Sequence, residues 1–369
     1  MSHDGRTSVF IVDDSAVMRS LLRTIISSDP ALEVAGTASD GASALGFLSS
    51  APAPPDLILL DVEMPNIDGL ETLRTIRARA YRMPVIMVSA VTQRGARVTI
   101  EALAAGASDY VAKPANQVDR QSALRTLALD LLPKIRALTY MASSPARTDA
   151  RVGEFCRSST ALNPPSVVAI GASTGGPAAL DPVLSTLPPA FPVPVLIVQH
   201  MPELFTRLLA ERLGHRCRLR VREATEGMHV LPGNVYLARG NWHMEVLAST
   251  RLGTPPALHL HQGPMENHCR PAVDVLFRSV AAAYGSAALA VVLTGMGSDG
   301  LAGCQVIHSR GGTILAQDRA TSVIWGMPGA VVQAGLAHQV LPLQRIAPEI
   351  LRLASHQPLQ GSLIPAVIL

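Results

Sequence analysis

The sequence predicts an α/β protein made of two doubly wound, parallel-sheet domains. Three observations carry that expectation. Short apolar runs alternate with helix-length segments at both ends of the chain, a Ser/Pro/Thr-rich stretch separates the two series, and polar residues collect just after the apolar runs. A chain of 369 residues is long enough for two domains of ordinary size.

In the first series, "SVFIV" (8–12) is followed by a helical pattern through Ile26, and "EVAGTA" (33–38) by another over 41–49. "DLILLD" (56–61), "PVIMVS" (84–89) and "DYVAK" (109–113) complete five strands, which suits a flavodoxin-like domain over 8–125. A helical run ending near Ala137 leads into a linker at roughly 138–165, so that 126–164 is a helix end plus linker. Strands resume at 166–170, 192–199, 219–224, 234–238, 243–248, 287–295 and 312–317. Residues 219–262 lack long helical segments and read as a β-hairpin insert in a Rossmann-like, three-layer second domain spanning 165–357, followed by a tail, 358–369.

Composition narrows the function. With 48% apolar residues, 16% charged residues and a formal charge of +3, the chain is globular and too mildly basic to suggest nucleic acid. The local excess Arg207, Arg212, Arg216, Arg218, Arg220 and Arg222 reads as a solvated helix end and strand edge, or else as a docking face for an acidic partner. Cys156, Cys217, Cys269 and Cys304 form no CxxC pair, so neither a zinc knuckle nor a redox dithiol is suggested. His215, His229, His243, His261 and His268 lack metal-ligand spacing and read as surface or hairpin residues. "MSHDGRTSVF" is no signal peptide, and no apolar run approaches the ~18 residues that span a bilayer. A cytoplasmic monomer without membrane insertion is expected.

At the carboxyl ends of the first five strands lie Asp13 and Asp14, Asp61, Ser89 and Lys113. Parallel-sheet topology brings such groups to one crevice. Three carboxylates suit Mg²⁺, which prefers oxygen ligands and bridges to phosphate. Lys113 is placed to pair with phosphate as a point charge, Ser89 to hydrogen-bond it, and Asp61 to be the phosphate-accepting nucleophile. Asp13 and Asp14 as mere helix caps are the alternative.

These residues, with "IVDDSAVMRSLL", "PDLILLDVEMPNIDGLE", "PVIMVSA" and "EALAAGASDYVAKP", resemble the receiver domain of two-component response regulators over about 8–125. The resemblance implies phosphorylation of Asp61 by a sensor histidine kinase. It implies Mg²⁺ held by Asp14, Asp61 and the Glu63 carbonyl with support from Asp13, and a switch pair in Ser89 and Tyr110.

The second series opens on "SVVAIGASTGGPAAL" (166–180). Ser173 stands where a dinucleotide fingerprint needs glycine, and no Gly-Lys-Ser/Thr follows, so neither phosphate cradle applies. What remains is G-x-S-x-G at a strand-to-helix turn, either a nucleophile turn or a helix-capping serine. A nucleophilic serine needs a base and an orienting acid. The next strand ends in "QHMP", at His200, and a later one in "LTGMGSDG", at Asp299. The order Ser…His…Asp is not that of α/β-hydrolases.

"AIGASTGGP", "VQHMPELFT", "LPGNVYLARG", "RPAVDVLFRSVA", "VLTGMGSDG" and "QDRATSVIWGMPGA" resemble the catalytic domain of the chemotaxis protein-glutamate methylesterase family, from about 165 to 355. By that resemblance Ser173 is the nucleophile, His200 the base, Asp299 its partner and the Met296 N–H an oxyanion donor. The esterase site needs no cofactor. Arg239 and Arg319 depart from the family's usual proline and acid. The expected function is phosphorylation-activated removal of methyl groups from glutamate esters on methyl-accepting chemoreceptors, with glutamine deamidation as a further activity. A DNA-binding output lacks a helix-turn-helix, and a non-enzymatic receptor-binding module would not need all three triad residues. Thr174 is unassigned, either orienting the serine or capping the helix that starts at Gly176.

Overall fold

A computed structural model of the protein describes residues 5–114, 120–143, 164–249, 251 and 253–355. The expected linker lies for the most part outside the described residues, as do Cys156 and the C-terminal tail.

The first unit runs β1 (Thr7–Val12), α1 (Ala16–Ser27), β2 (Leu32–Ala38), α2 (Gly41–Ser50), β3 (Leu57–Asp61), α3 (Gly69–Ala78), β4 (Val85–Ser89), α4 (Gln93–Ala104), β5 (Asp109–Ala112) and α5 (Arg120–Ser143). Its five strands are parallel, in the order β2-β1-β3-β4-β5. β3 and β4 are buried along their whole length because helices cover both faces, hence their unbroken apolar runs. Side chains cap four helices: Ser15 for α1, Asp40 for α2, Asp68 for α3 and Thr92 for α4 each accept a backbone N–H of the first turn. The cap of α1 is therefore Ser15, which leaves Asp13 and Asp14 for the crevice. α5 continues to Ser143, past the expected end at Ala137.

The second unit comprises β6 (Val167–Ala172), α6 (Gly176–Ser185), β7 (Val195–Gln199), α7 (Glu203–Arg216), β8 (Arg220–Glu223), β9 (Asn234–Leu237), β10 (His243–Leu247), β11 (Ala257–His261), α8 (Val273–Tyr284), β12 (Ala288–Val292), α9 (Leu301–Ser309), β13 (Thr313–Gln317), α10 (Met327–Gln333), β14 (Gln339–Leu341) and α11 (Leu343–Ala354). Seven strands form one parallel sheet ordered β14-β13-β12-β6-β7-β9-β8. Strand order reverses between β6 and β12, and a crevice opens at that point on the carboxyl edge.

The hairpin is smaller than 219–262. β8 and β9 pair in parallel inside the main sheet, and only β10 and β11 form a separate antiparallel pair. The physical reason is burial: Val235, Tyr236 and Leu237 of β9 are all in the core, which a solvated hairpin would not give them. β8 takes the edge with an exposed–intermediate alternation in "RVRE", charged residues that discourage further strand pairing. Part of the arginine cluster is paired, since Arg212 and Arg216 both contact Asp181 of α6 at 2.9 and 3.1 Å.

The two units share a core. Ile324 and Val323 of the second pack into the apolar cluster formed by α1, α5 and the first sheet. α4 lies against α6 and α7. The Tyr110 ring stacks on Phe205 of α7, centroids 4.6 Å apart. Thr174, one residue past the candidate nucleophile, donates its hydroxyl to Asp109 Oδ2 of β5 at 2.6 Å.

Two glycines make the 171–176 turn feasible. A Cβ on Gly171 would sit 2.4 Å from a Val273 methyl, so only glycine lets α8 approach β6 this closely. Gly175 has φ of 78°, and a Cβ there would come within 2.6 Å of Val323. Gly175→Ala is expected to destabilise the chain by roughly 1–3 kcal/mol through strain and overpacking. A urea midpoint that does not move would contradict that account of the turn.

Candidate active site and receiver crevice

β6 delivers Ser173, and a short turn fixes its backbone. The Ser173 N–H donates to the Thr294 carbonyl at 3.0 Å, and its carbonyl accepts from Gly176 N at 2.7 Å and Gln199 Nε2 at 2.9 Å. His200 follows β7, its N–H bonded to the Ala172 carbonyl at 3.1 Å, so the imidazole starts beside the serine turn. Asp299 follows the loop after β12 and meets His200 Nε2 through Oδ2 at 2.7 Å.

The Asp299 carboxylate is anchored on all sides. Oδ2 also accepts from Val273 N at 2.7 Å, while Oδ1 accepts from Asp274 N at 3.0 Å, Gly300 N at 3.0 Å and Asn267 Nδ2 at 2.9 Å. Val273 and Asp274 are the first residues of α8, which has no side-chain cap, so the carboxylate serves where a cap would. Asp274 in turn accepts Gly303 N at 2.6 Å and Asn267 Nδ2 at 2.9 Å. Burial opposes the charge on Asp299, but the His200 contact and these N–H donors hold its pKa below the usual carboxylate range.

His200 responds in the opposite sense. Burial pushes its pKa down, but the bonds to Asp299 and Cys269 outweigh that and lift it to about 9. Nε2 is engaged with Asp299, which leaves Nδ1 to face other groups. The group nearest that nitrogen is the Cys269 thiol, Sγ to Nδ1 at 3.5 Å. The Ser173 hydroxyl makes no hydrogen bond among the described residues, to His200 or otherwise. Neither does the Met296 N–H, which stands in the half-exposed loop after β12.

In the first unit, Asp13 and Asp61 are buried and Asp14 is exposed, and a carboxylate oxygen from each lies within 4.8 Å of the others. Lys113 Nζ contacts Asp13 Oδ2 at 2.9 Å and Asp61 Oδ2 at 2.7 Å. Those two buried oxygens accept no well-aligned hydrogen bond. Three carboxylates against one ammonium leave two negative charges in surplus, a donor set that fits a hard divalent cation. Burial raises the Asp61 pKa to about 6, against the pull of Lys113 and with the push of Asp13. The Glu63 N–H bonds Asp61 Oδ1 at 3.3 Å, which starts the following loop back over the carboxylate. Ser89 is fully buried and accepts the Thr99 hydroxyl at 2.7 Å.

Sequence reasoning missed Asn267, Asp274, Cys269 and Asp109. None stands in a spacing that marks chemistry, because each acts through a contact between distant segments. Of the histidines read as surface or hairpin residues, His243 is a hairpin residue at the start of β10 and a buried one, its Nε2 2.9 Å from the Pro264 carbonyl and its Nδ1 accepting Ala272 N at 3.2 Å.

Fold and site define a class of protein, a receiver-like unit joined to an α/β domain with a His–Asp pair beside a candidate nucleophilic serine at its switch point. Family models agree in both halves: the response regulator receiver domain matches residues 9–125 and CheB methylesterase matches 168–350. The chain is 48% identical over 365 residues to a protein-glutamate methylesterase/protein-glutamine glutaminase of Nocardioides sp., covering 97% of this chain and 98% of that one. It is 45% identical to protein-glutamate methylesterase/protein-glutamine glutaminase 2 of Caulobacter vibrioides, covering 93% and 97%. The crystal structure of the Thermotoga maritima CheB methylesterase catalytic domain is similar at TM-score 0.50 and 41% identity, covering 51% of this chain and 98% of that one. The chain belongs to the protein-glutamate methylesterase/protein-glutamine glutaminase family.

The electrostatics give a direct expectation. Because the His200 pKa is raised to about 9, the ring stays protonated through neutral pH and loses its proton only near that value. NMR titration of the ring protons should show this midpoint, and Asp299→Asn should bring it down by more than about one unit, since burial then acts without its counter-charge. A midpoint near the ordinary histidine value in the intact protein would contradict the arrangement.

Proposed function

We propose that this chain is a phosphorylation-regulated esterase that removes methyl groups from glutamate γ-methyl esters on chemoreceptors and deamidates receptor glutamines. The observation that carries the reading is the His200–Asp299 pair at 2.7 Å, beside the Ser173 turn at the sheet's switch point. In the neutral form of the ring, His200 Nδ1 takes the Ser173 proton as Oγ attacks the ester carbonyl, and Asp299 holds Nε2–H and stabilises the imidazolium. The Met296 N–H, without an acceptor among the described residues, donates to the developing oxyanion. The C–O bond breaks, the imidazolium protonates the leaving methoxide and methanol departs. Water, deprotonated by the same nitrogen, then releases glutamate and regenerates the serine. From a glutamine side chain the same steps expel ammonia.

Control comes from the first unit. Asp61 attacks the phosphoryl group of a phosphohistidine on a sensor kinase, forming an O–P bond as the N–P bond breaks. Asp13, Asp14, Asp61 and the Glu63 carbonyl would hold Mg²⁺, which supplies neutralising charge for the incoming phosphoryl oxygens. Lys113 pairs with the phosphate and Ser89 hydrogen-bonds it. That withdraws Ser89 from Thr99 and reaches Tyr110, whose ring stacks on Phe205 between the two units. In the unphosphorylated chain the Asp109–Thr174 bond ties β5 to the residue after the nucleophile, and phosphorylation shifts the population away from that docked form. The setting is the cytoplasmic side of a membrane receptor. No helix among the described residues is long and apolar enough to cross a membrane itself.

Two outcomes check this reading. Ser173→Ala should cut methanol release from methylated receptor by at least about a thousandfold while Asp61 still takes up phosphate. Undiminished release would remove the serine mechanism. Asp61→Asn should lose the stimulation that a small-molecule phosphodonor gives the parent chain. Stimulation that persists in the variant would place the regulatory phosphate elsewhere.

A further inference from the structure

Outside the ester chemistry, one contact in the second unit has no assigned purpose, the Cys269 thiol set against the catalytic imidazole. Cys269 comes from the segment before α8 and is half-buried. His200, Cys269 and Asp299 offer nitrogen, sulfur and oxygen within 4.8 Å of one another. This mixed donor set differs from the all-oxygen crevice of the receiver unit. Thiolate and imidazole select Zn²⁺ and its soft neighbours, and carboxylates and water select Mg²⁺.

The spacing is specific. Zinc bonds of about 2.0 Å to nitrogen and 2.3 Å to sulfur, at a tetrahedral angle, separate those two atoms by about 3.5 Å. The observed separation of Nδ1 and Sγ is 3.5 Å. The far side of the ring is prepared as well. A metal-bound histidine characteristically gives its other N–H to a carboxylate, which fixes the tautomer and strengthens the ligand. Asp299 Oδ2 already lies 2.7 Å from Nε2, and four further donors hold that carboxylate in place.

We propose that His200 Nδ1 and Cys269 Sγ form a binding site for a borderline-soft divalent cation, best matched by Zn²⁺, that inhibits the esterase by occupying its proton acceptor. Asp299 stays outside the coordination shell as the partner of Nε2–H, and water fills the remaining positions. Binding converts the thiol to thiolate and the imidazolium to neutral imidazole, so the Cys269 proton and the Nδ1 proton both leave to solvent while Nε2 keeps its own. While the metal is bound, Nδ1 has no lone pair for the Ser173 proton. The inhibitory part rests on the Ser173–His200–Asp299 reading, whereas the site itself does not.

The test uses the full chain, with Mg²⁺ in excess to occupy the carboxylate crevice. Co²⁺ as the spectroscopic probe should give a thiolate-to-cobalt charge-transfer band that is absent in Cys269→Ala. Zn²⁺ should block methanol release from methylated receptor, a chelator should restore it, and Cys269→Ala should need at least about tenfold more Zn²⁺ for the same block. No thiolate band in the parent chain, or equal zinc sensitivity in parent and variant, would overturn the proposal. A Cys269-dependent band in a chain whose Ser173→Ala variant still releases methanol would support the metal site and count against the serine mechanism.

Discussion

Asp109 is a carboxylate almost wholly buried between two domains, and its needs tie them together. Burial raises its pKa, and the Lys134 charge, the Thr174 hydroxyl and the Tyr110 N–H oppose that rise. Two of those three groups belong to the receiver unit, and the third sits next to the candidate nucleophile. Lys134 Nζ is 3.9 Å from Asp109 Oδ2 and donates to the Tyr110 carbonyl at 2.7 Å, so one ammonium organises both neighbours. A hydrogen bond to a charged group is worth about 1.5–3 kcal/mol net. That is large enough to hold a docked state and small enough for a phosphoryl group to shift it.

The same economy of contacts shapes the hydrolase site. Receiver helices α1 to α4 close their N-termini with their own side chains, but α8 leaves its first N–H groups open. Asp299 fills that position from another segment, and its hydrogen bond, together with the Cys269 contact, raises His200 to about 9 against the effect of burial. The contact that orients the imidazole also favours its protonated form.

Much of this was legible in the sequence, for physical reasons. Parallel strands buried on both faces must be unbroken apolar runs, so β1, β3, β4, β6, β7 and β12 show themselves directly. Groups that follow such strands share a crevice by topology, which brings Asp13, Asp61 and Lys113 together and places Ser173 beside His200. What escaped lies on contacts between distant segments. Thr174 has no local reason to be a threonine, since its partner is Asp109, 65 residues away. Cys269 looked isolated because its neighbour in space is a histidine and not a second cysteine. β8 and β9 read as a hairpin because short strands without an intervening helix usually pair antiparallel, and only the burial of β9 places them in the main sheet.

The central claim is that the Asp109–Thr174 bond restrains the nucleophile turn in the unphosphorylated chain. A double-mutant cycle with Asp109→Asn and Thr174→Val, read as methanol release without phosphodonor, tests it most directly. The account predicts that each single variant raises release by about tenfold and that the double variant raises it no further, because both remove one interaction. Single variants that leave basal release where it was, or effects that multiply independently in the double variant, would contradict it.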